Sequence, residues 1–304
     1  MLCTLRIPIK LSTNSQVMCK RMYKRMTTKP GYISLQGEIL YGVHPVHMAL
    51  SARRRTVHCL YYNKGSEKTE QVVRLCKEQG IPCRHLERQA LTDMCRQADK
   101  YKEHHVHQGL VLDVSKLHHY PLDYTAPQLT SEPPPPPRPG HAPPPVWLLL
   151  CGIKDPYNLG SIVRTAYFLG VSRVVVTGVK CDLTCTVSKA SAGTLELVPV
   201  YAVRHPVQLL GGLVSQGWRV LATVMPGGDK ASKVTTCTVN KLTQTCPTVL
   251  VLGSEGAGIP PELFECVTQG VYIPPAIDLD TQVDSLNVSV AAAIVLQKLC
   301  TLVE

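Results

Sequence analysis

Trp147-Leu148-Leu149-Leu150-Cys151-Gly152-Ile153 runs directly into Lys154-Asp155-Pro156-Tyr157-Asn158-Leu159-Gly160-Ser161-Ile162-Val163-Arg164-Thr165-Ala166. The first stretch shows no alternation of polar and apolar positions. A strand of that kind is covered on both faces, the condition of a parallel sheet flanked by helices. The second stretch leaves the strand through polar residues and enters an apolar helical pattern, which predicts a helix over 160–169. Backbone amides at the start of such a helix can meet an anion. On these residues alone, Asn158 reads equally as a helix cap and Arg164 as a surface side chain.

The same pattern of strand, loop and helix repeats downstream. Arg173 to Thr177, Trp218 to Val224 and Thr248 to Leu252 read as continuous apolar strands, and His205 to Gln216 and Leu286 to Leu299 as helices. Residues 146–304 are therefore expected to form a parallel-sheet α/β domain, whose ligands bind beyond the carboxyl ends of the strands. Two more loops carry unusual residues. Leu252-Gly253-Ser254-Glu255-Gly256-Ala257-Gly258-Ile259 sets glycines around one glutamate, allowing a tight turn or a ligand close to the backbone. It is neither the dinucleotide glycine fingerprint nor a phosphate-binding loop with its lysine, so neither kind of site is supported. Ser285-Leu286-Asn287-Val288-Ser289-Val290-Ala291-Ala292 opens a helix of small and branched residues, and Ser285 reads equally as its cap.

Upstream, Pro121 to Pro145 contains the runs Pro133 to Pro137 and Pro143 to Pro145. Proline fixes φ and lacks the amide donor, so this stretch is expected to be a semi-extended connector without helix or sheet ladders, within a linker over 117–145. Before it, residues 33–116 read as a small α/β module. Val43 to Leu50 is a helix candidate, Thr56 to Tyr62 a strand, Glu67 to Gln79 a helix stopped by Gly80, and Gln108 to Val114 a strand. His104, His105 and His107 lack a cysteine or carboxylate at metal-ligand spacing and read as a loop leading into that strand, so no metal is expected.

The chain carries a formal charge of +10. Residues 1–30 hold seven Lys or Arg and no acidic residue, whereas residues 147–304 hold eleven of each sign. Net charge therefore does not establish nucleic-acid binding. The basic, hydroxyl-bearing leader over 1–30 has the composition of an organellar transit segment, with a disordered RNA-binding arm as the other reading. The longest apolar stretch, Val288 to Val303, is broken by Ser289, Gln297, Lys298 and Thr301, so no membrane span is expected. Thirteen cysteines occur without a CxxC pair or a secretory signal, which points to reduced thiols used as small core residues, in the matrix or cytosol.

Together, the three loops resemble the motifs of the SpoU, or TrmH-like, branch of the SPOUT RNA methyltransferases. Asn-x-Gly-x-x-x-Arg, Gly-x-Glu-x-x-Gly and Ser-Leu-Asn-Val-x-x-Ala occur in that order, and Ser188-Lys189-Ala190-Ser191-Ala192-Gly193 is similar to the same family. Leu40-Tyr41-Gly42-Val43-His44-Pro45-Val46 and His107-Gln108-Gly109-Leu110 resemble the family's substrate-binding domain. The leader, the Ser188 to Gly193 stretch and the C-terminal motif make the chain resemble most the mitochondrial large-subunit rRNA guanosine 2'-O-methyltransferases. Thr194, where the family often has alanine, and the long proline linker are the departures.

The resemblance implies a parallel sheet with a C-terminal trefoil knot and S-adenosyl-L-methionine as cofactor. It implies that Thr223, Met225, Gly227, Leu252, Gly253, Gly258, Ile273, Leu286 and Asn287 frame the cofactor. Arg164, Asn158, Ser285, Asn287 and Glu255 would be the catalytic set, with Glu255 organising its loop through Asn158 or Arg164 rather than acting as an acid. Family proposals make Arg164 the general base. A guanidinium is treated as always charged, so an anchor for phosphate and developing alkoxide is the other role. The homologous enzymes are dimers, which implies a homodimer here with Asn158 and Arg164 at or near the interface. Arg53-Arg54-Arg55, the compact basic run of the first module, is the candidate RNA contact or else a solvated helix end. The expected partner is large-subunit rRNA. The rival readings are the same chemistry on tRNA and a non-catalytic rRNA-binding assembly factor.

Overall fold

The computed structural model describes residues 6–8, 32–98, 106–122, 144–178, 181–225, 234–277 and 285–300. The leader read over 1–30 lies outside them apart from Arg6–Pro8, as do Gly227, His104 and His105. The chain divides into two compact units: 1–118 with 183–197, and 119–182 with 198–304.

In the first unit β1 (Arg6–Pro8) pairs antiparallel with β2 (Tyr32–Ser34). A separate four-stranded sheet has the order β3 (Glu38–Tyr41), β6 (Leu110–Val114), β4 (Val57–Tyr62), β5 (Cys83–His85). Its inner strand β6 is buried at every position, including Asp113. That carboxylate accepts the backbone amides of Gln36 and Gly37, each at 2.9 Å, and so closes the turn into β3. Only glycine fits at position 37, because a Cβ there would lie 2.0 Å from the carbonyl oxygen of Val114. Helices α1 (Val43–Ala52), α2 (Glu67–Glu78) and α3 (Arg88–Ala98) supply Val46, Leu50, Val72, Cys76, Leu91 and Met94 to the core. His107 is built into the turn before β6: its Nδ1 accepts the Gly109 amide at 3.1 Å, and its Nε2 lies 3.2 Å from Thr92 Oγ1.

The segment 183–197 belongs to this unit, although the sequence reading placed it inside a continuous second domain. Its short helix, Cys185–Ala190, is the fifth in chain order (α5). What holds it is a buried ion pair. Arg55 donates from Nε to Glu196 Oε2 at 2.6 Å and from Nη2 to Oε1 at 3.0 Å. Its Nη1 donates to the Ser115 carbonyl at 3.0 Å and to Glu38. Ser188 Oγ donates to Glu196 Oε1 at 2.8 Å. Arg54 Nη1 donates to the carbonyls of Leu195 and Glu196, both at 3.1 Å. This corrects the reading of Arg53-Arg54-Arg55 as an RNA-facing run or a solvated helix end. Arg55 is buried and ion-paired, Arg54 is half-buried on main-chain oxygens, and Arg53 alone is exposed, in the left-handed conformation that ends α1 (φ 53°).

The second unit holds an eight-stranded, all-parallel sheet in the order β12-β14-β11-β13-β8-β9-β10-β7. The strands are β7 (Tyr120–Leu122), β8 (Val146–Cys151), β9 (Arg173–Thr177), β10 (Val200–Val203), β11 (Arg219–Thr223), β12 (Thr236–Thr238), β13 (Thr248–Gly253) and β14 (Gln269–Tyr272). Strands β8 and β9 are buried at every residue, as the apolar runs Val146 to Cys151 and Val174 to Val176 require, with Arg173 and Thr177 buried at the ends of β9. Alternate residues Trp147, Leu149, Val249 and Val251 pack on one face with Leu209, Leu210 and Leu213 of α6 (Pro206–Ser215). Leu148, Leu150, Leu250 and Leu252, buried as well, point to the other face by the two-residue period of a strand. Helices α4 (Pro156–Leu169) and α7 (Val288–Cys300) pack against each other.

One expectation fails here. The connector was read as unable to join a sheet from Pro121 onward, yet Pro121 sits in β7, paired in register with Ala202. The reason is position: β7 is an edge strand, where the missing amide can face away from the ladder. Among the described residues no helix is long and apolar enough to cross a membrane.

Candidate active site

The site begins with the capping of α4. Asp155 accepts the amides of Tyr157 at 3.1 Å and Asn158 at 3.2 Å, with Pro156 in the first turn. An aspartate before a proline is the preferred chemistry for a helix start. Asp155 thus takes the capping role that Asn158 could have filled. The Asn158 side chain is left free to reach outward, though the residue is only 8% exposed.

It reaches the second loop. Asn158 Nδ2 donates to Glu255 Oε1 at 3.0 Å. The loop is drawn tight by a bridge between Ser254 and Gly258, with the Gly258 amide on the Ser254 carbonyl at 2.9 Å. Ser254 Oγ accepts the Ala257 amide at 3.2 Å. Gly253 must be glycine, because an added Cβ would lie 2.2 Å from the carbonyl carbon of Gly258. The exposed Glu255 stands in this turn.

The third loop closes the cluster. Asn287 Nδ2 donates to Asn158 Oδ1 at 3.0 Å and to Glu255 Oε1 at 2.8 Å. Its own Oδ1 accepts the Ser289 amide at 2.9 Å and Ser289 Oγ at 2.6 Å, and its carbonyl accepts the amides of Val290 and Ala291. Asn287 is therefore the residue that caps α7. The reading of Ser285 as that cap is corrected; it lies exposed before the cap position. Asn158, Glu255 and Asn287 form a closed ring of hydrogen bonds that ties the starts of α4 and α7 to the end of β13.

The remaining candidates divide. Thr223 ends β11, with its hydroxyl 3.4 Å from the Val251 carbonyl; Leu252 and Gly253 end β13; Ile273 follows β14. These ends are neighbours because β14, β11 and β13 are adjacent in the sheet. Met225 and Leu286 are 44% and 49% exposed. Main-chain amides and carbonyls at strand ends, with apolar side chains beside them, suit a flat heteroaromatic ligand such as a nucleoside. Arg164 is exposed farther along α4, and among the described residues its guanidinium makes no hydrogen bond or ion pair. Of the two partners expected for Glu255, Asn158 holds it and Arg164 does not. A depression of about 390 Å³ lined by Trp218, Arg219, Cys246 and Gln269 lies at the opposite, amino-terminal ends of β11 and β14, away from the ring.

The sequence reading missed Asp155 and Ser289. An aspartate-proline pair was a readable helix-start signal. Nothing in the sequence marked Ser289.

An all-parallel sheet with three motif loops joined at its carboxyl end defines a SPOUT-class methyltransferase domain. The chain belongs to the SpoU rRNA methylase family, whose model matches residues 145–297; a model for RNA 2'-O ribose methyltransferase substrate binding matches residues 39–120. The chain is 34% identical to the human "rRNA methyltransferase 1, mitochondrial", over 87% of this chain and 72% of that protein. It is 30% identical to the 23S rRNA (guanosine-2'-O-)-methyltransferase of Pseudomonas putida, over 86% of this chain and 95% of that one. The crystal structure of an AdoMet-bound rRNA methyltransferase from Sinorhizobium meliloti shares the fold, with a TM-score of 0.63 at 22% identity, covering 86% of this chain and 85% of that one.

Proposed function

We propose that this chain transfers a methyl group from S-adenosyl-L-methionine to the ribose 2'-hydroxyl of a guanosine in mitochondrial large-subunit rRNA. The observation that carries the reading is the ring of Asn158, Glu255 and Asn287, which unites the three family motifs at the ligand-binding end of the sheet. The names of the human and Pseudomonas relatives support the substrate class and the guanosine. The cofactor supplies an electrophilic sulfonium methyl, so no metal is required for the chemistry.

The protein's own contribution is orientation. Thr223, Met225, Gly227, Leu252, Gly253, Gly258, Ile273, Leu286 and Asn287 would hold the cofactor, while Asn158, Ser285 and Glu255 shape the place where the ribose enters. Holding two reactants in line can lower a barrier by roughly 7–11 kcal/mol in good cases. As the 2'-oxygen forms its bond to carbon and the carbon–sulfur bond breaks, the hydroxyl proton must leave. Arg164, permanently charged, holds a backbone phosphate and stabilises the developing alkoxide, and phosphate or water takes the proton.

The active form is a homodimer. Tyr167 and Phe168 on α4 and Val290 and Ile294 on α7 are large apolar side chains 51%, 81%, 47% and 37% exposed, on two helices that pack together. A second copy covering them would also meet Arg164, one helical turn from Tyr167 and Phe168. Residues 33–116 bind the RNA, with Arg53 as the remaining member of the arginine run free to touch phosphate. Residues 1–30 direct import into the mitochondrial matrix, and the C-terminal chain threads the family's trefoil knot.

The test is methyl transfer from labelled S-adenosylmethionine by residues 31–304 to a mitochondrial large-subunit rRNA transcript, followed by nucleoside analysis. Label in 2'-O-methylguanosine that disappears in Arg164→Ala is the expected result. Arg164→Lys should recover only part, because lysine lacks the bidentate fork. Label on tRNA alone would discard the substrate, and cofactor binding without transfer to any RNA would favour an assembly factor.

A further inference from the structure

Ser289 occupies a position that the pattern Ser-Leu-Asn-Val-x-x-Ala leaves open, yet both of its polar groups are spent on one atom. Its amide donates to Asn287 Oδ1 at 2.9 Å and its hydroxyl to the same oxygen at 2.6 Å. The two ends of an asparagine amide have nearly the same shape and differ in whether they accept or donate. A backbone N–H can only donate, so the atom facing Ser289 must be the oxygen. The nitrogen is then turned the other way, with one proton for Asn158 Oδ1 at 3.0 Å and one for Glu255 Oε1 at 2.8 Å. A flipped amide would set N–H against N–H at Ser289 and oxygen against carboxylate at Glu255.

The amide of Asn158 follows from the same choice. Its oxygen faces the Asn287 donor, so its nitrogen faces Glu255, at 3.0 Å. One rotamer at Asn287 thereby decides which way every member of the ring points. Asn287 is exposed, so water competes for its oxygen. Two donors from one residue fill both lone pairs of that oxygen and exclude water from it.

We propose that Ser289 is a positioning residue for the methyl-transfer reaction: its hydroxyl holds the Asn287 amide in the orientation that the backbone N–H of position 289 selects and, through it, orients Asn158 and Glu255. This rests on the enzymatic reading above and names a residue outside the site set given there. Its hydroxyl acts through Asn287, the group it donates to. Its effect falls mainly on turnover and reaches substrate affinity only through Asn287 and the ring.

The experiment compares the full chain with Ser289→Ala, Ser289→Thr, Asn287→Ala and the Ser289→Ala/Asn287→Ala double variant. Steady-state methyl transfer is measured together with ¹⁵N NMR of the Asn287 side-chain amide. Loss of one neutral hydrogen bond predicts a fall in kcat of about three- to tenfold for Ser289→Ala, larger than any change in KM for either substrate. Threonine restores kcat, because it keeps the hydroxyl. The double variant is no slower than Asn287→Ala, and the Asn287 amide protons exchange faster in Ser289→Ala. Wild-type kcat in Ser289→Ala, unchanged amide exchange, or losses that simply multiply in the double variant would each overturn the proposal. An unmodified chain that methylates no RNA would sink the enzymatic reading instead, while the amide exchange would still decide whether Ser289 holds Asn287.

Discussion

Asn158 and Glu255 are 97 residues apart in sequence, and the amide of the first donates to the carboxylate of the second at 3.0 Å. The same oxygen of Glu255 accepts Asn287 at 2.8 Å. An ionised carboxylate only accepts, so it can gather two amide donors without conflict. Glutamine in its place would bring an NH2 group that has to be turned away from both asparagines. Glu255→Gln should therefore lower kcat/KM by about 10–100-fold, the range of about 1.5–3 kcal/mol for a hydrogen bond to a charged group. Because Glu255 is exposed, circular dichroism and thermal unfolding should change little. Undiminished kcat/KM in that variant would remove Glu255 from the machinery.

The sheet was legible because its central strands are unbroken apolar runs, Leu148 to Leu150 and Val174 to Val176, which only burial on both faces explains. The ring was legible because each motif follows a strand or starts a helix, where side chains project beyond the sheet. Other features depended on partners that sequence does not pair. β7 is three residues with a proline at its centre, and only the neighbouring β10 makes it a strand. Arg55 looked like one of three surface arginines, and its burial depends on Glu196, 141 residues away. The same pair ties 183–197 to the first unit. A charge run shows its sign in the sequence and hides its counter-ion.

That ion pair carries a stability prediction. The side chains of Arg55 and Glu196 are both 0% exposed; Arg55 also pairs with Glu38, whereas Glu196 has Arg55 as its cation. Removing one partner of a buried pair typically costs about 3–5 kcal/mol, because the remaining charge is stranded. Arg55→Met, which leaves Glu196 buried without its cation, should lower unfolding stability by about that amount in urea titration. The double change Glu196→Leu/Arg55→Met should recover part of it. If Arg55→Met unfolds at the wild-type urea concentration, the pair does not hold 183–197 in place.

The cysteines make a prediction about pH. Burial pushes the thiols of Cys76 and Cys151 up to about 12, with neighbouring Cys83 adding to the first and Glu262 to the second. Burial alone raises Cys300 to about 11. The thiolate is the reactive form, so a thiol with pKa near 12 is ionised to only about one part in ten thousand at pH 8. Iodoacetamide at pH 8 should leave these three unlabelled in the native protein and label them in denaturant, read by mass spectrometry. The stability gained by keeping them neutral is complete below about pH 8.5, where unfolded thiols begin to ionise. It should decline as pH rises from there toward the folded values. Rapid native labelling of Cys151 would contradict its burial.

The apolar face of α4 and α7 gives the last prediction. Phe168 is 81% exposed, and Ile294 on the adjoining helix is 37% exposed. Large apolar side chains grouped on two packed helices mark an interaction surface more than a solvated one. If a second copy covers them, a buried unpaired carboxylate there would cost more than the contact it replaces. Phe168→Asp and Ile294→Asp should each shift the protein from dimer to monomer in light scattering at micromolar concentration. In an isolated monomer the Phe168→Asp change touches little besides solvent, so thermal unfolding of that separated chain should stay within about 1 kcal/mol of wild type. Methyl transfer should fall with the dimer fraction, because Arg164 lies on the same stretch of α4 and would act beside the partner. A monomeric Phe168→Asp protein with full activity would show that one chain suffices and that Arg164 works within its own subunit.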